Sequence, residues 1–410
     1  MNQQDRDLSA AQPHEVGLST EGLDRVDAVV RELVDQGALA GAVTLTARRG
    51  QLVRLIAMGK QNLATGAPMR EDSIFRIFSM TKPVTATAMM ILHDEGRWQP
   101  QDPIAKHLPE FEGIRVVSSF NADGSAETEP AAHAPTMLEL MTHTAGFGYG
   151  FMPIAPIDAL YAKAGIWKST HLAEFSRRVA SVPLAYQPGT KWEYSLSMDL
   201  QGAIIERLTG QALPDFMRER IFEPLGMKDT AFHTPPEKVH RRCEIYFSDR
   251  NSPPMPFRAS PIPDYAQVPS FALGGGGLVS TAPDYARFAQ MLLNGGALAG
   301  KRIVSAAAVR QQMSNWLPDE IINGGYAAGY QRIRPGFGYG YNGVVFTDPA
   351  LAGVPVGKGT YHWDGAGGTW FWVDPSNDLL YIGMIQMLLS EASLPLQAMT
   401  QTLMAEAILD

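Results

Sequence analysis

Strand patterns lie near both ends of this chain of 410 residues, and helical patterns fill the middle. Two apolar runs flank Arg49-Gly50 in residues 41–59, and two more flank Asp374-Pro375-Ser376-Asn377 in residues 369–387. Turn-type residues between two apolar runs are typical of a β-hairpin. One helical pattern precedes the first hairpin and another follows the second. This order predicts one sheet built from both chain ends, with the helical middle inserted into it.

Composition and charge exclude several classes of protein. The net charge is −8 with only 34 lysines and arginines, and no basic stripe is present, so nucleic acid is not expected as a partner. The single cysteine, Cys243, excludes a disulfide framework and a cysteine-based metal cluster, and the histidines show no metal-ligand spacing. No apolar run approaches the ~18 residues of a membrane span, and the N-terminus carries no signal-peptide core. We therefore expect a cytoplasmic protein without a membrane partner.

The segment Ser79-Met80-Thr81-Lys82 is the first candidate for chemistry. It opens a predicted helix over residues 79–95, on which positions three apart share a face. A serine hydroxyl needs a neighbouring base to act as a nucleophile, and a desolvated lysine of lowered pKa can supply one. A backbone N–H at the helix start can also bind an oxyanion. Taken alone, however, this spacing also arises by chance in a chain of this composition.

Two further segments offer groups that would complete such a site. Tyr194, in residues 192–196, can act as a general base if a nearby ammonium lowers its pKa, although a half-buried structural tyrosine fits the pattern as well. Residues 361–369 contain three glycines, which allow a strand edge to approach a substrate closely. The alternative for this segment is a loop that leads into the last hairpin.

Together these segments resemble the serine β-lactamase and penicillin-binding protein superfamily. The resemblance is to its class C-like branch, and the motifs are most similar to those of family VIII carboxylesterases. The ordered signature S-x-x-K, then Y-S-x, then W-x-G occurs at positions 79, 194 and 363. Matching segments accompany it over about residues 15–408, namely 75–83, 140–146, 187–200, 222–227, 274–284 and 371–375.

This resemblance implies an α/β (α+β) fold of the β-lactamase/transpeptidase-like type. An antiparallel sheet flanked by helices would comprise residues 1–80 and 275–410. Residues 81–274 would form an inserted, mostly helical domain, and the active site would lie in the cleft between the two.

The resemblance also assigns roles to individual residues. Ser79 corresponds to the nucleophile, Lys82 to its activating partner, and Tyr194 to the base that takes the Ser79 proton and returns it to the leaving group. The N–H groups of Ser79 and Ala366 correspond to the oxyanion hole, and the mechanism requires no metal or organic cofactor. Six residues are candidates for substrate binding: Trp363, Asp364, Gly365, His362, Phe147 and Tyr149. Phe147, Tyr149, Phe151 and Met152 could equally be core residues, and His143 is expected to have a structural hydrogen-bonding role.

Two departures from the family pattern indicate the substrate. Trp363 replaces the lysine of K-T-G, which in β-lactam-active members lies near the substrate carboxylate, and Leu196 replaces an asparagine two positions after Tyr194. Both losses favour a carboxylesterase acting on small to medium neutral esters, with a small-molecule ester as its partner. The alternatives are a class C-like β-lactamase or D-amino-acid peptidase, a transesterase or acyltransferase, and a non-catalytic binding protein of the same fold. The sequence makes no prediction of oligomeric state.

Overall fold

The computed structural model describes residues 6–150, 155–248, 253–257, 265–269, 271–328, 331–388 and 393–409. The helices are α1 (Thr20–Asp35), α2 (Thr81–Asp94), α3 (Met137–Thr142), α4 (Pro156–Ala164), α5 (Leu172–Ala180), α6 (Ser197–Thr209), α7 (Leu213–Met217), α8 (Glu223–Leu225), α9 (Ala282–Leu293), α10 (Ala306–Gln312), α11 (Asp319–Gly324), α12 (Pro349–Ala352) and α13 (Ser393–Glu406). The strands are β1 (Gly41–Arg48), β2 (Gln51–Gly59), β3 (Phe75–Arg76), β4 (Arg115–Phe120), β5 (Ala126–Pro130), β6 (Tyr246–Phe247), β7 (Met255–Pro256), β8 (Val279–Ser280), β9 (Ala297–Leu298), β10 (Lys301–Arg302), β11 (Tyr326–Ala328), β12 (Gln331–Ile333), β13 (Phe337–Tyr339), β14 (Val344–Phe346), β15 (Tyr361–Asp364), β16 (Trp370–Asp374) and β17 (Leu379–Met384).

Among the described residues, seven strands form the main sheet in the order β13-β14-β15-β16-β17-β1-β2. Every neighbouring pair in this sheet is antiparallel. Helices α1 and α13 pack together on one face of it, and α9 packs on the other face. The predicted fold class, an antiparallel sheet flanked by helices, is confirmed. The predicted domain boundaries stay a prediction.

Both predicted hairpins are present in the sheet. Strands β1 and β2 pair through a turn in which Arg49 and Gly50 have φ values of +53° and +78°. Positive φ at both central residues gives the turn a twist that matches that of the strands. At the other hairpin, Asp374 Oδ1 accepts the N–H groups of Ser376 and Asn377, which fixes the turn between β16 and β17.

The segment before α2 differs in detail from the predicted helix. Strand β3 pairs with β8, Phe78 then adopts a left-handed φ of +43°, and a 3₁₀ turn over Phe78–Met80 leads into α2 at Thr81. Pro83 therefore lies in the first turn of α2, where a missing N–H costs no helical hydrogen bond. This geometry leaves Ser79 at the entrance of a helix whose first twelve residues are all buried.

The middle of the chain is not purely helical. Strands β4 and β5 form an antiparallel hairpin there, which the sequence analysis did not predict. The loop predicted over residues 251–269 is described only in part, and its residues 255–256 pair with β6. In the described part of the chain, no helix is both long enough and apolar enough to cross a bilayer.

The centre of the sheet depends on a glycine in β17. A Cβ atom at Gly383 would lie 2.1 Å from Cζ2 of the paired residue Trp370. We expect Gly383→Ala to lower the free energy of unfolding by about 2–3 kcal/mol, because overpacking shifts strands and rotamers. Gly66→Ala is the control, since no atom lies within 4 Å of its new Cβ and only backbone strain of about 1 kcal/mol remains. Equal losses for both variants in urea unfolding would contradict this account of the sheet.

Candidate active site

The hydroxyl of Ser79 lies within hydrogen-bonding distance of two side chains. Lys82 Nζ donates to Ser79 Oγ at 3.0 Å, and Tyr194 Oη donates to the same atom at 2.8 Å. The first turn of α2 places Lys82 one turn beyond Ser79, whereas Tyr194 lies in the loop that precedes α6. The three residues of the predicted catalytic set therefore meet at one oxygen atom.

The amine of Lys82 is enclosed in the protein, and its residue is 0% exposed. Its Nζ also donates to the carbonyl oxygen of Gly275 at 2.6 Å and lies 4.6 Å from the ring centroid of Tyr194. Burial disfavours the ammonium form and lowers the Lys82 pKa to about 7, while the charges of Asp199 and Asp364 oppose this shift. A large share of the amine is therefore neutral near pH 7, and its lone pair can accept a proton.

The phenol of Tyr194 is surrounded by other rings. The ring centroids of His143, Tyr149 and Trp363 lie 5.0, 5.2 and 5.7 Å from that of Tyr194. This enclosure raises the pKa of Tyr194 well above its usual value, and the hydrogen bond to Ser79 offsets the shift only in part. This direction favours the protonated phenol, and the predicted role of Tyr194 as the base stays a prediction.

A glycine-rich turn over residues 365–368 packs against the segment that leads to Ser79. A Cβ atom on Gly365 would lie 2.3 Å from the carbonyl oxygen of Ile77, so only glycine permits this close approach. Within the described residues, the backbone N–H groups of Ser79 and Ala366 donate to no protein acceptor. Two unpaired N–H groups on adjoining segments are suited to stabilise an oxyanion.

His143 forms hydrogen bonds with the two residues on either side of Tyr194, namely Glu193 and Ser195. The carbonyl oxygen of His143 accepts the N–H of Glu193 at 3.0 Å, and its Nδ1 accepts the N–H of Ser195 at 3.1 Å. Because Nδ1 is an acceptor, the imidazole proton lies on Nε2. Burial and the charge of Lys82 lower the His143 pKa well below its usual value. These contacts fit a neutral, structural histidine.

Strand β15 directs Trp363 and Asp364 to opposite faces of the sheet. Trp363 is 1% exposed, and its ring centroid lies 5.7 Å from that of Tyr194. Successive side chains alternate across a strand, and Asp364 Oδ2 lies 3.5 Å from Nε2 of Gln397 in α13. The uncharged indole therefore faces Tyr194, while the carboxylate faces the C-terminal helix.

Two of the predicted pocket residues differ in their surroundings. Tyr149 is partly buried, and its ring lies 5.2 Å from that of Tyr194, so it belongs to the site. Phe147 is 1% exposed and packs edge-on against Phe111 at 5.7 Å. This burial favours the second of the two predicted alternatives, a core position for Phe147. Phe151 and Met152 lie outside the described residues.

His362 is also displaced from its predicted position in the pocket wall. It precedes Trp363 in β15, so its side chain points to the opposite face from the indole. Its ring centroid lies 5.0 Å from that of Phe346, the residue is 5% exposed, and burial lowers its pKa to about 3. The structure therefore places a neutral His362 within the sheet layer and away from Tyr194.

The sequence analysis missed Asp199. This residue lies in the first turn of α6 and is 2% exposed. Its Oδ1 accepts the N–H of Gly275 at 3.0 Å, and the carbonyl of Gly275 binds Lys82. The one signal available in the sequence was an acidic residue five positions after Tyr194. In the described part of the chain, His, Cys, Asp and Glu side chains form no group of three or more that could hold a metal ion.

Comparison with known proteins identifies the family. The model of the Beta-lactamase family matches residues 26–402. Protein Rv1367c of Mycobacterium tuberculosis is 37% identical over 369 residues, which cover 89% of this chain and 90% of that protein. Esterase EstB of Burkholderia gladioli is 33% identical over 372 residues, which cover 85% and 86%.

A solved structure shares the fold at lower identity. The structure of EstCE1, described as a hydrolase with promiscuous acyltransferase activity, matches with a TM-score of 0.76 at 23% identity. The match covers 95% of this chain and 98% of that one. The chain belongs to the Beta-lactamase family and has the β-lactamase/transpeptidase-like fold. The predicted resemblance is confirmed, and the chain is a serine hydrolase or acyltransferase of this superfamily.

The hydrogen bonds between His143 and the loop that carries Tyr194 lead to a prediction. We expect His143→Ala to lower kcat about 10- to 100-fold with little change in KM, because the Ser195 N–H loses its side-chain acceptor and only the backbone carbonyl of residue 143 still binds the loop that carries Tyr194. His143→Asn keeps a side-chain oxygen that can accept the Ser195 N–H, so it should retain more of the activity. Steady-state ester hydrolysis tests this order. An Ala variant as active as wild type would contradict the positioning role.

Proposed function

We propose that this member of the Beta-lactamase family is a serine carboxylesterase that hydrolyses small to medium neutral esters through an acyl-enzyme on Ser79. The observation that carries the proposal is the contact of one partly exposed serine hydroxyl with a buried amine and a phenol. The 33% identical relative is named an esterase, which supports an ester substrate. A small-molecule ester as the partner and a cytoplasmic location belong to the same proposal.

The first half of the reaction forms the acyl-enzyme. Neutral Lys82 takes the proton of Ser79 as Oγ attacks the ester carbonyl carbon. The N–H groups of Ser79 and Ala366 stabilise the oxyanion that develops. When the tetrahedral intermediate collapses, the bond to the alcohol oxygen breaks and the phenol of Tyr194 gives its proton to that oxygen. The Lys82 ammonium then restores the phenol proton, so the proton lost by Ser79 leaves on the alcohol.

The second half releases the acyl group. Water attacks the acyl carbon and passes a proton to neutral Lys82. The bond to Ser79 Oγ then breaks, and a proton from the Lys82–Tyr194 pair returns to that oxygen. The product is the free acid. An alcohol in place of water would give a new ester by the same proton transfers.

The surroundings of the site support a neutral substrate. Trp363 brings an uncharged indole to the position of the family's lysine, and Leu196 is 0% exposed and offers no side-chain amide. The charges of Asp199 and Asp364 act on Lys82, so the field around the amine is negative. A substrate carboxylate such as that of a β-lactam is disfavoured by this field. These features weigh against a β-lactamase or a D-amino-acid peptidase.

Paired hydrolysis of p-nitrophenyl butyrate and nitrocefin tests the proposal. We expect kcat/KM for the ester to exceed that for nitrocefin by about 100-fold or more. Ser79→Ala should lose at least about 10³-fold, because it removes the nucleophile. Tyr194→Phe should lose about 10²- to 10³-fold, because it removes the acid. Comparable nitrocefin turnover would restore the β-lactamase alternative, and full activity in Ser79→Ala would overturn the nucleophile assignment.

The lowered pKa of Lys82 predicts the pH profile of the reaction. Only the neutral amine accepts the Ser79 proton, so kcat/KM should rise with pH and level off above the Lys82 pKa of about 7. Lys82→Arg stays protonated throughout and should lose at least about 10³-fold in activity at every pH. A flat wild-type profile between about pH 5 and 8 would exclude Lys82 as the group that titrates.

A further inference from the structure

A buried carboxylate is connected to Lys82 through one peptide group. Asp199 Oδ1 accepts the N–H of Gly275 at 3.0 Å, and the carbonyl oxygen of the same residue accepts from Lys82 Nζ at 2.6 Å. We propose that Asp199 is a positioning residue that orients the Gly275 peptide towards Lys82 and supplies the negative charge that balances the ammonium form. The inference rests on the proposed role of Ser79 as nucleophile.

Two glycines allow residues 274–275 to pack closely against the start of α6. A Cβ atom on Gly274 would lie 2.4 Å from the carbonyl oxygen of Met198, and one on Gly275 would lie 3.0 Å from Asp199 Oδ2. The carbonyl oxygen of Gly274 accepts from Thr85 Oγ1 at 2.7 Å. The segment is therefore held between the two helices, and its peptide orientation is fixed by hydrogen bonds on both sides.

The carboxylate of Asp199 is buried, and its surroundings stabilise its negative charge. The residue is 2% exposed, and it lies in the first turn of α6, where the helix dipole favours a negative charge. Burial raises its pKa to about 6, while the Gly275 N–H and the charge of Lys82 oppose the shift. Each of the two charges therefore stabilises the other, so the charge of Asp199 raises the proton affinity of Lys82.

Several groups besides Asp199 lie near the Lys82 amine or act on it through their charge. Asp364 contributes a negative charge from β15 and opposes the loss of the ammonium proton. His143 stays neutral at the end of α3, and the rings of Tyr194 and Tyr149 lie 4.6 and 5.6 Å from Nζ. Asp199 differs from all of these because it alone also fixes the carbonyl group that binds the amine.

Substitution of Asp199 by asparagine separates charge from positioning. The amide oxygen can still accept the Gly275 N–H, but the negative charge is removed. Without this charge the ammonium form of Lys82 is less stable, so the amine loses its proton at lower pH. Asp199→Ala removes the charge and the hydrogen bond together, so it should also disturb the geometry at Ser79.

The test is the rate at which a fluorophosphonate probe labels Ser79, measured from about pH 5 to 9. In Asp199→Asn the acidic limb of the profile should move about one unit to lower pH, with a plateau within about 3-fold of wild type. In Asp199→Ala the plateau itself should fall about 10-fold or more. If Asp199→Asn does not fold, Asp199→Ser also removes the negative charge, and the acidic limb of its profile should move to lower pH in the same way.

Asp284 provides a matched control. It is 7% exposed, lies in the first turn of α9 and accepts the N–H of Asp229 at 2.7 Å, and its pKa is likewise raised to about 6 by burial. Asp284→Asn should leave the acidic limb in place. Suppose that Ser79 is labelled but the acidic limb of the labelling profile does not move in Asp199→Asn, or moves equally in Asp284→Asn. Either result would overturn the inference about Asp199 alone. Absence of labelling at Ser79 in wild type would overturn the proposed function as well.

Discussion

The burial of one lysine amine is the constraint on which the rest of the site depends. An ammonium without water is costly, so Lys82 can be fully enclosed only if its surroundings supply acceptors and a compensating charge. The Gly275 carbonyl and the Ser79 hydroxyl provide the acceptors, and Asp199 and Asp364 provide the charge. The same burial lowers the pKa of the amine to about 7, so that a share of it is neutral and can accept a proton.

The fold delivers these groups from segments that are far apart in the sequence. The sheet carries β15 and the glycine turn that follows it, α2 carries the serine and the lysine, and α6 begins next to the tyrosine. Glycines allow these segments to pack against the backbone of their neighbours. Gly365 lies against the carbonyl oxygen of Ile77, and Gly274 lies against that of Met198. The aromatic rings around Tyr194 then enclose the phenol and raise its pKa, which supports the proposed role of Tyr194 as an acid.

Features set by local pattern could be predicted from the sequence. The two hairpins followed from turn residues between apolar runs, and the spacing of Ser79 and Lys82 followed from helical periodicity. The order of three short motifs sufficed for the family. Properties that depend on distant neighbours were not accessible in this way. The raised pKa of Tyr194, the core position of Phe147 and the link from Asp199 to Lys82 through Gly275 all follow from tertiary packing, which no single segment encodes.

The central claim is that Ser79 carries the acyl group during turnover, and mass spectrometry of the working enzyme tests it directly. The enzyme would be mixed with p-nitrophenyl butyrate, quenched in acid within the first turnovers, digested and sequenced by fragmentation. The account predicts a butyryl group on the hydroxyl of Ser79 that disappears as the substrate is consumed. Steady turnover with no adduct at Ser79, or with an adduct on another residue that forms and decays at the rate of turnover, would contradict it.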